Sequence, residues 1–337
     1  MKSECKKENR INLYLLFLSV LFLLPGIAEG QDEPLTEQEK IKLEQIRGSL
    51  IQQGFLQESS ETTDSQTAST DLVLSEAWYI DKRLKVKTVS SRSTDFRPDG
   101  KRFYILGRDQ ETIAEYHLDE AWQIDTAEFV REFSTTKELD ATEQRSASHG
   151  LFIRKTDGER MWMLNRTEIW EYTLSTPWDV TSATQTGYKD LSDTVVRGHD
   201  IDFKPDGSVL YVDDRILGVV HQFELSSDWE VETATLDYVF DISDIQKAVR
   251  GTQFSPDGKK MFMMDTARQE VLEFNVPTPF DLRSGTFEGA FSVASEAISP
   301  EGLTFKPDLT AFYVTANFEN VVYQYYIYKI DTEESSV

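Results

Sequence analysis

From about residue 90 the hydrophobic and polar positions fall into a pattern that returns five times. Each copy opens on an apolar strand that breaks at a Pro-Asp-Gly-like turn: Phe96-Arg-Pro-Asp-Gly100, Ile153 through Thr156-Asp-Gly158, Phe203-Lys-Pro-Asp-Gly207, Phe254-Ser-Pro-Asp-Gly258 and Phe305-Lys-Pro-Asp-Leu309. Proline presets φ, Asp bonds back to the backbone, and Gly accepts a positive φ. The turns start at residues 98, 156, 205, 256 and 307, at intervals of 58, 49, 51 and 51. A second strand follows each turn, as in Arg102-Phe-Tyr-Ile-Leu106 and Ala311-Phe-Tyr-Val314. The third strand alternates apolar and polar residues, as in Ile113-Ala-Glu-Tyr116 and Val271-Leu-Glu-Phe274, the period of a half-buried strand. An aromatic landmark comes next (Trp122, Trp178, Trp229, Phe280), and a short fourth strand ends the unit. The fixed position of these rings in the repeat predicts a packing role.

The two ends of the pattern decide its topology. The fifth copy stops after its third strand, near Ile330, and its missing piece stands in front of the first copy. We read Ala77-Trp78-Tyr79-Ile80 as the landmark of that copy and Leu84 to Val89 as its fourth strand. An N-terminal strand that completes the last unit closes a ring and leaves no open edge. The expected fold is therefore an all-β, five-bladed β-propeller over residues 71–337.

The segment in front has a different composition. Thr36 and Glu39 have the spacing of a capping box, Ile41, Leu43, Ile46 and Leu50 follow at near-helical intervals, and Gly54 supplies a stop. This predicts a short amphipathic helix over 36–53, either docked or free. Residues 57–71 are rich in Ser, Thr and Gln and read as a linker, so 31–70 forms a helix-plus-linker segment. At the start, Lys2, Lys6, Lys7 and Arg10 precede an apolar run from Ile11 to Leu24, a Pro25-Gly26 break and Ala28-Glu29-Gly30. That order predicts a signal peptide over 1–30, cleaved before Gln31, and a secreted or periplasmic protein.

Tyr313-Val-Thr-Ala-Asn317 and the Pro-Asp-Gly turns resemble the YVTN-type bacterial β-propeller repeat, and Thr176-Pro-Trp-Asp-Val180 is similar to repeats of exported bacterial and phage propellers. The resemblance covers about 71–330. It implies binding or surface roles more often than catalysis, although some related seven-bladed propellers are lactonases.

Charge narrows the partners. The chain carries 59 acidic against 35 basic residues, a net charge of −24. A field of that sign disfavours nucleic acid and bare anionic membranes, and no membrane contact is expected after signal cleavage. The one cysteine, Cys5, lies within the expected signal, so thiolate chemistry is excluded from the mature chain. The chain contains no Gly-x-Ser-x-Gly elbow, phosphate-binding loop or His-Glu-x-x-His. Asn165-Arg166-Thr167 is a glycosylation sequon, relevant only in a eukaryotic secretory pathway.

In a propeller the first strand of each blade lines the central channel. Alignment on the strand-one Phe or Ile brings Arg92, His149, His199, Arg250 and Glu301 to one level at the channel mouth. Gly107, Asn165, Asp214, Asp265 and Thr315 are the matching ends of the second strands. Arg92, His149, His199, Arg250 and Glu301, with Asn165, Asp214 and Asp265, are the candidate ligand-binding residues. Three readings fit them. The arginines and histidines bind an anion, with forked contacts from arginine to carboxylate. Alternatively, the histidines with Glu301 or Asp214 hold a water-activating divalent metal, which would make the protein a hydrolase or lyase. In the third, the groups satisfy one another around a solvated channel. We take the first as leading: a non-catalytic binding module whose partner is an anionic small molecule, a glycan or a protein. The sequence names no cofactor. His117 and His221 fall in third strands and are expected to be structural. The long first interval leaves extra chain at 134–148, leading into His149 as a rim or lid.

Overall fold

The computed structural model describes residues 35–57, 73–88, 90–108, 112–134, 148–246 and 248–328. The expected signal peptide, nearly all of the linker and most of the 134–148 loop lie outside the described residues.

The chain divides after Lys40. In the short leading piece, Thr36 Oγ1 accepts the Glu39 amide at 3.2 Å and Glu39 Oε2 accepts the Thr36 amide at 2.9 Å, the reciprocal pair of a capping box. Helix α1, Glu37–Gln52, starts there. It ends where Gly54 takes φ +78° and the Phe55 amide bonds the Leu50 carbonyl, which satisfies a carbonyl the helix leaves open. Within the larger body Ile46, Leu50 and Leu56 are buried together with Val196, Leu217, Val219 and Val239, so this part of the helix is docked and not free. Among the described residues no helix is long and apolar enough to cross a membrane.

The rest is β-structure. A strand β1 (Ala77–Lys85) comes first. Blade 1 follows with β2 (Ser91–Phe96), β3 (Arg102–Gly107), β4 (Thr112–Leu118) and β5 (Ala127–Ser134). Blade 2 has β6 (Ser148–Ile153), β7 (Arg160–Asn165), β8 (Glu168–Leu174) and β9 (Ala183–Asp190). Blade 3 has β10 (Gly198–Phe203), β11 (Val209–Asp214), β12 (Val219–Leu225) and β13 (Ala234–Asp241). Blade 4 has β14 (Val249–Phe254), β15 (Lys260–Asp265), β16 (Glu270–Asn275) and β17 (Thr286–Ser292). In blade 5, β18 (Pro300–Phe305), β19 (Ala311–Ala316) and β20 (Val321–Ile327) are completed by β1, in the order β1-β20-β19-β18. The chain is a five-bladed β-propeller of four-stranded antiparallel sheets, closed by its N-terminal strand.

The landmark and the turn form one device. Trp122, Trp178, Trp229 and Phe280 all have φ between 62° and 69°, an unfavourable region for a bulky residue. Each amide bonds the carbonyl of the turn glycine, Gly100, Gly158, Gly207 or Gly258, and each ring lies where a Cβ on that glycine would overlap it. Landmarks also join blades. The Tyr104, Tyr211 and Tyr313 hydroxyls donate to the carbonyls of Trp178, Phe280 and Trp122 in the following blade. The polar residue of the third strand does the same: Gln222 Oε1 accepts the Leu282 amide and Gln324 Oε1 the Ile124 amide.

The landmark assigned to Ala77–Ile80 is corrected. Those residues form the first half of β1, where Trp78 pairs with Tyr326 and stacks on its ring at 6.4 Å. The turn before β1 is Val73–Glu76, and there Leu74 fills the buried place held by Ile124, Val180, Val231 and Leu282 in the other blades. The hydrogen bonds support the equivalence, because the Glu273 carboxylate of blade 4 accepts the Val73 and Leu74 amides at 3.0 Å, as the Gln222 and Gln324 side chains accept those of Leu282 and Ile124.

Candidate functional site

The first strands β2, β6, β10, β14 and β18 stand around the channel, each against its neighbours. Close approach is needed: a Cβ on Gly302 would collide with the Arg92 carbonyl of the next blade. The second residue of each strand is Arg92, His149, His199, Arg250 or Glu301. The structure brings these five to one level and buries them, none more than 5 % exposed. The five side chains are therefore buried at this level and do not stand exposed around a solvated ring.

The five groups split into two sets. Glu301 Oε1 lies 2.5 Å from Arg92 Nη1 and is also bound by Arg250 Nη1. Burial works against ionisation of Glu301, but Arg250 and Arg92 outweigh it and hold its carboxyl below the usual range. The histidines face each other with ring centroids 4.2 Å apart. Among the described residues neither ring nitrogen of His149 has a hydrogen-bond partner, and neither does His199 Nε2. Burial pushes both histidines well below their ordinary pKa. Arg92, Arg108, Arg250 and Arg166 add to this for His149, and His149, Arg250, Arg92 and Arg197 for His199. Both rings are neutral at pH 7.

The second-strand ends behave differently. Gly107, Asn165, Asp214 and Asp265 pair with the starts of their first strands, but in blade 5 the partner of Pro300 is Ala316, so Thr315 is one residue out of register. Asn165 pairs with Ser148 beside His149 and is buried. Asp214 is fully buried and accepts the amides of Val196, Ile216 and Leu217, with His221 Nε2 3.7 Å away. Asp265 accepts those of Ala248, Ala267 and Arg268. These two carboxylates shape the loops of the mouth. His117 is exposed on β4 and belongs to no ring. Among the described residues no three His, Cys, Asp or Glu side chains cluster as a metal-binding set.

Sequence reasoning passed over the residues one place beyond. Arg108, Arg166 and Arg215 directly follow the second strands of three successive blades, and Arg197 directly precedes β10. Backbone bonds fix them to the channel strands: the Gly198 amide donates to the Arg166 carbonyl at 2.7 Å and the Arg215 amide to the Arg197 carbonyl at 3.1 Å. Burial and the nearby Arg250 bring Arg215 down to about 10, with Glu301 opposing. The signal for Arg108, Arg166 and Arg215 was the same basic residue type at one repeat position, in a register shifted by one.

Below the mouth polar side chains reach across the channel. Ser93 Oγ donates to Asp200 Oδ1 across it at 3.0 Å, and Asp213 Oδ1 accepts the His199 and Asp200 amides at 2.8 Å.

No family model and no curated protein matches the chain. Solved structures resemble it at low identity. One is a functionally unknown protein from Desulfotomaculum acetoxidans DSM 771 (12 % identity, 67 % of this chain and 62 % of that one, TM-score 0.41). Another is a candidate 6-phosphogluconolactonase from Bacteroides uniformis ATCC 8492 (14 %, 68 % and 64 %, TM-score 0.43). A third is the β-propeller domain of Cps50 (Swd1) from Myceliophteria thermophila (8 %, 73 % and 100 %, TM-score 0.40). The chain spans less than two thirds of the length of the first two. None of these likenesses bears on chemistry.

Proposed function

We propose that the protein is an exported β-propeller of the YVTN-like kind that binds a small anionic ligand at the channel mouth and releases it unchanged. One observation carries this reading. Arg92, Arg108, Arg166, Arg197 and Arg250, from four blades, act on two neutral histidines, with Arg215 beside Arg250, in a chain whose net charge is −24. Guanidinium forks suit the planar oxygens of carboxylate or the faces of phosphate, and a buried setting strengthens each contact. Neutral imidazoles add hydrogen-bonding capacity without adding charge. Export rests on the basic and apolar pattern of residues 1–30.

The test is a thermal-shift titration of the mature chain with malonate, phosphate and sulfate against chloride at matched ionic strength. We expect at least one dianion to raise Tm in a saturable way. The Arg166→Gln/Arg215→Gln double variant, at half-buried positions, is expected to fold and to lose that rise. No rise beyond chloride, or a rise retained by the variant, would overturn the reading. NMR of the recovered ligand checks that it is unchanged.

A further inference from the structure

The other end of the channel carries a cavity of 320 Å³ among the Pro-Asp-Gly turns. Every blade contributes a channel-strand phenylalanine to its wall, Phe203 and Phe254 among them, and Trp122, Trp229 and Phe280 line it from the landmark positions. Such a volume suits a small molecule.

Two carboxylates line it as well. Asp95 and Asp202 hold the same place in the repeat, one residue before Phe96 and Phe203. Each accepts two amides at 2.8 Å, its successor's and one from the next blade: Phe96 and Ile153 for Asp95, Phe203 and Phe254 for Asp202. There the likeness stops. Asp95 also binds the Lys155 ammonium, which lies 4.8 Å from the centre of the Phe152 ring.

Lys155 is available because the blade 2 turn has an extra residue. The Gly158 amide reaches back four residues to Arg154, whereas the Gly258 amide of blade 4 reaches back three, to Ser255. The blade 4 turn following Phe254 is Ser255-Pro256-Asp257, with no cation, and Asp257 is engaged by Ser255 Oγ at 2.7 Å. Asp202 is 8 % exposed. A buried carboxylate without a cation is costly. Burial pushes Asp202 up to about 7, the two amides and Lys155 counteracting and Asp95 adding to the rise.

We infer that this cavity is a second binding site, for a small organic cation: an ammonium on an alkyl or aryl body, the ammonium taking against Asp202 the place that Lys155 takes against Asp95. The aromatic wall takes the body and attracts the charge. This site is independent of the arginine mouth, at the opposite end of the channel and of opposite preference.

The probe is phenethylammonium, compared with 2-phenylethanol and phenylacetate, titrated into the mature chain by calorimetry and tryptophan fluorescence. The amine is expected to bind saturably and about tenfold or more tighter than the alcohol, the equivalent of a modest cation–π or ionic contact. Phenylacetate is expected not to bind. Asp202→Asn should remove the preference for the amine. Pro256→Lys, at an exposed turn position, supplies the ammonium that blade 4 lacks and should abolish amine binding even if Asp202→Asn does not fold. Absent amine binding, equal binding of amine and alcohol, or undiminished binding by Pro256→Lys would each overturn the inference.

Discussion

Asp213, beside the mouth histidines, shows how one buried carboxylate couples the channel to pH. Burial raises it to about 7, with amide bonds from Asp200 and His199 and the Thr252 hydroxyl opposing and Asp214 adding to the rise. Its folded-state pKa lies above the unfolded value near 3.9, so the native chain holds the proton more tightly. The stability this gives is complete below about pH 4 and is lost as pH rises through 7. Asp213→Asn keeps the oxygen that accepts both amides and can donate to Thr252 Oγ1, 3.2 Å from the present Oδ2. We expect the variant to match the parent at pH 4.5 and to exceed it at pH 8 by on the order of 1–3 kcal/mol, read by urea denaturation at both values. A parent more stable than the variant at pH 8 would contradict this origin. At this scale the sequence was partly legible. Repeat register located Arg92, His149, His199, Arg250 and Glu301 as equivalent positions. It could not show that Asp214 and Asp265 spend their oxygens on loop amides, since those loops fold back three-dimensionally, nor that Arg108 and Arg166, outside the strand alternation, approach His149.

Within elements, the aromatic landmarks were visible as recurring letters, but their partners were not. The Tyr313 hydroxyl donates to the Trp122 carbonyl at 2.6 Å, one of the bonds that tie blade 5 to blade 1. Tyr313→Phe keeps the ring and deletes the donor, leaving that carbonyl with the Gln324 amide at 3.0 Å. A loss of about 1 kcal/mol in chemical denaturation is expected. Helix α1 was legible from its capping box and spacing, whereas its docking was not, because the apolar patch at Val196, Leu217, Val219 and Val239 is assembled from separate segments of the chain. Leu50 is 2 % exposed at that contact, so Leu50→Ala should cost about 2–5 kcal/mol locally and speed proteolysis near α1 more than in the blades. The misplaced landmark at Ala77–Ile80 has a plain cause. Ala77-Trp78-Tyr79-Ile80 matches Ala121-Trp122-Gln123-Ile124 in three of four letters, and only the pairing of β1 with β20 shows that the buried apolar residue of the turn is Leu74.

At the scale of the molecule, closure is the property on which the channel and both of its ends depend. β1 pairs with β20 from Ala77 opposite Ile327 to Lys85 opposite Val321, and Tyr79 packs on Tyr323 and Tyr325 with ring centroids 5.9 and 5.5 Å apart. Without β1, β20 becomes an edge strand rich in Val and Tyr, and Glu273 loses the Val73 and Leu74 amides that tie blade 4 to blade 5. An exposed apolar edge of that length invites pairing with another chain. A chain beginning at Val86 is therefore expected to elute as larger species than a chain beginning at Val73, which lacks α1 equally but keeps β1, as measured by light scattering. A synthetic peptide of residues 73–88 added in trans should reverse that increase in mass, since the edge it covers needs one strand and the turn that carries Leu74. If the shortened chain shows no increase in mass and an unchanged melting temperature, β1 is an accessory strand and the closing contacts reside in β18 and β2, where the Thr304 and Thr94 hydroxyls meet at 2.7 Å.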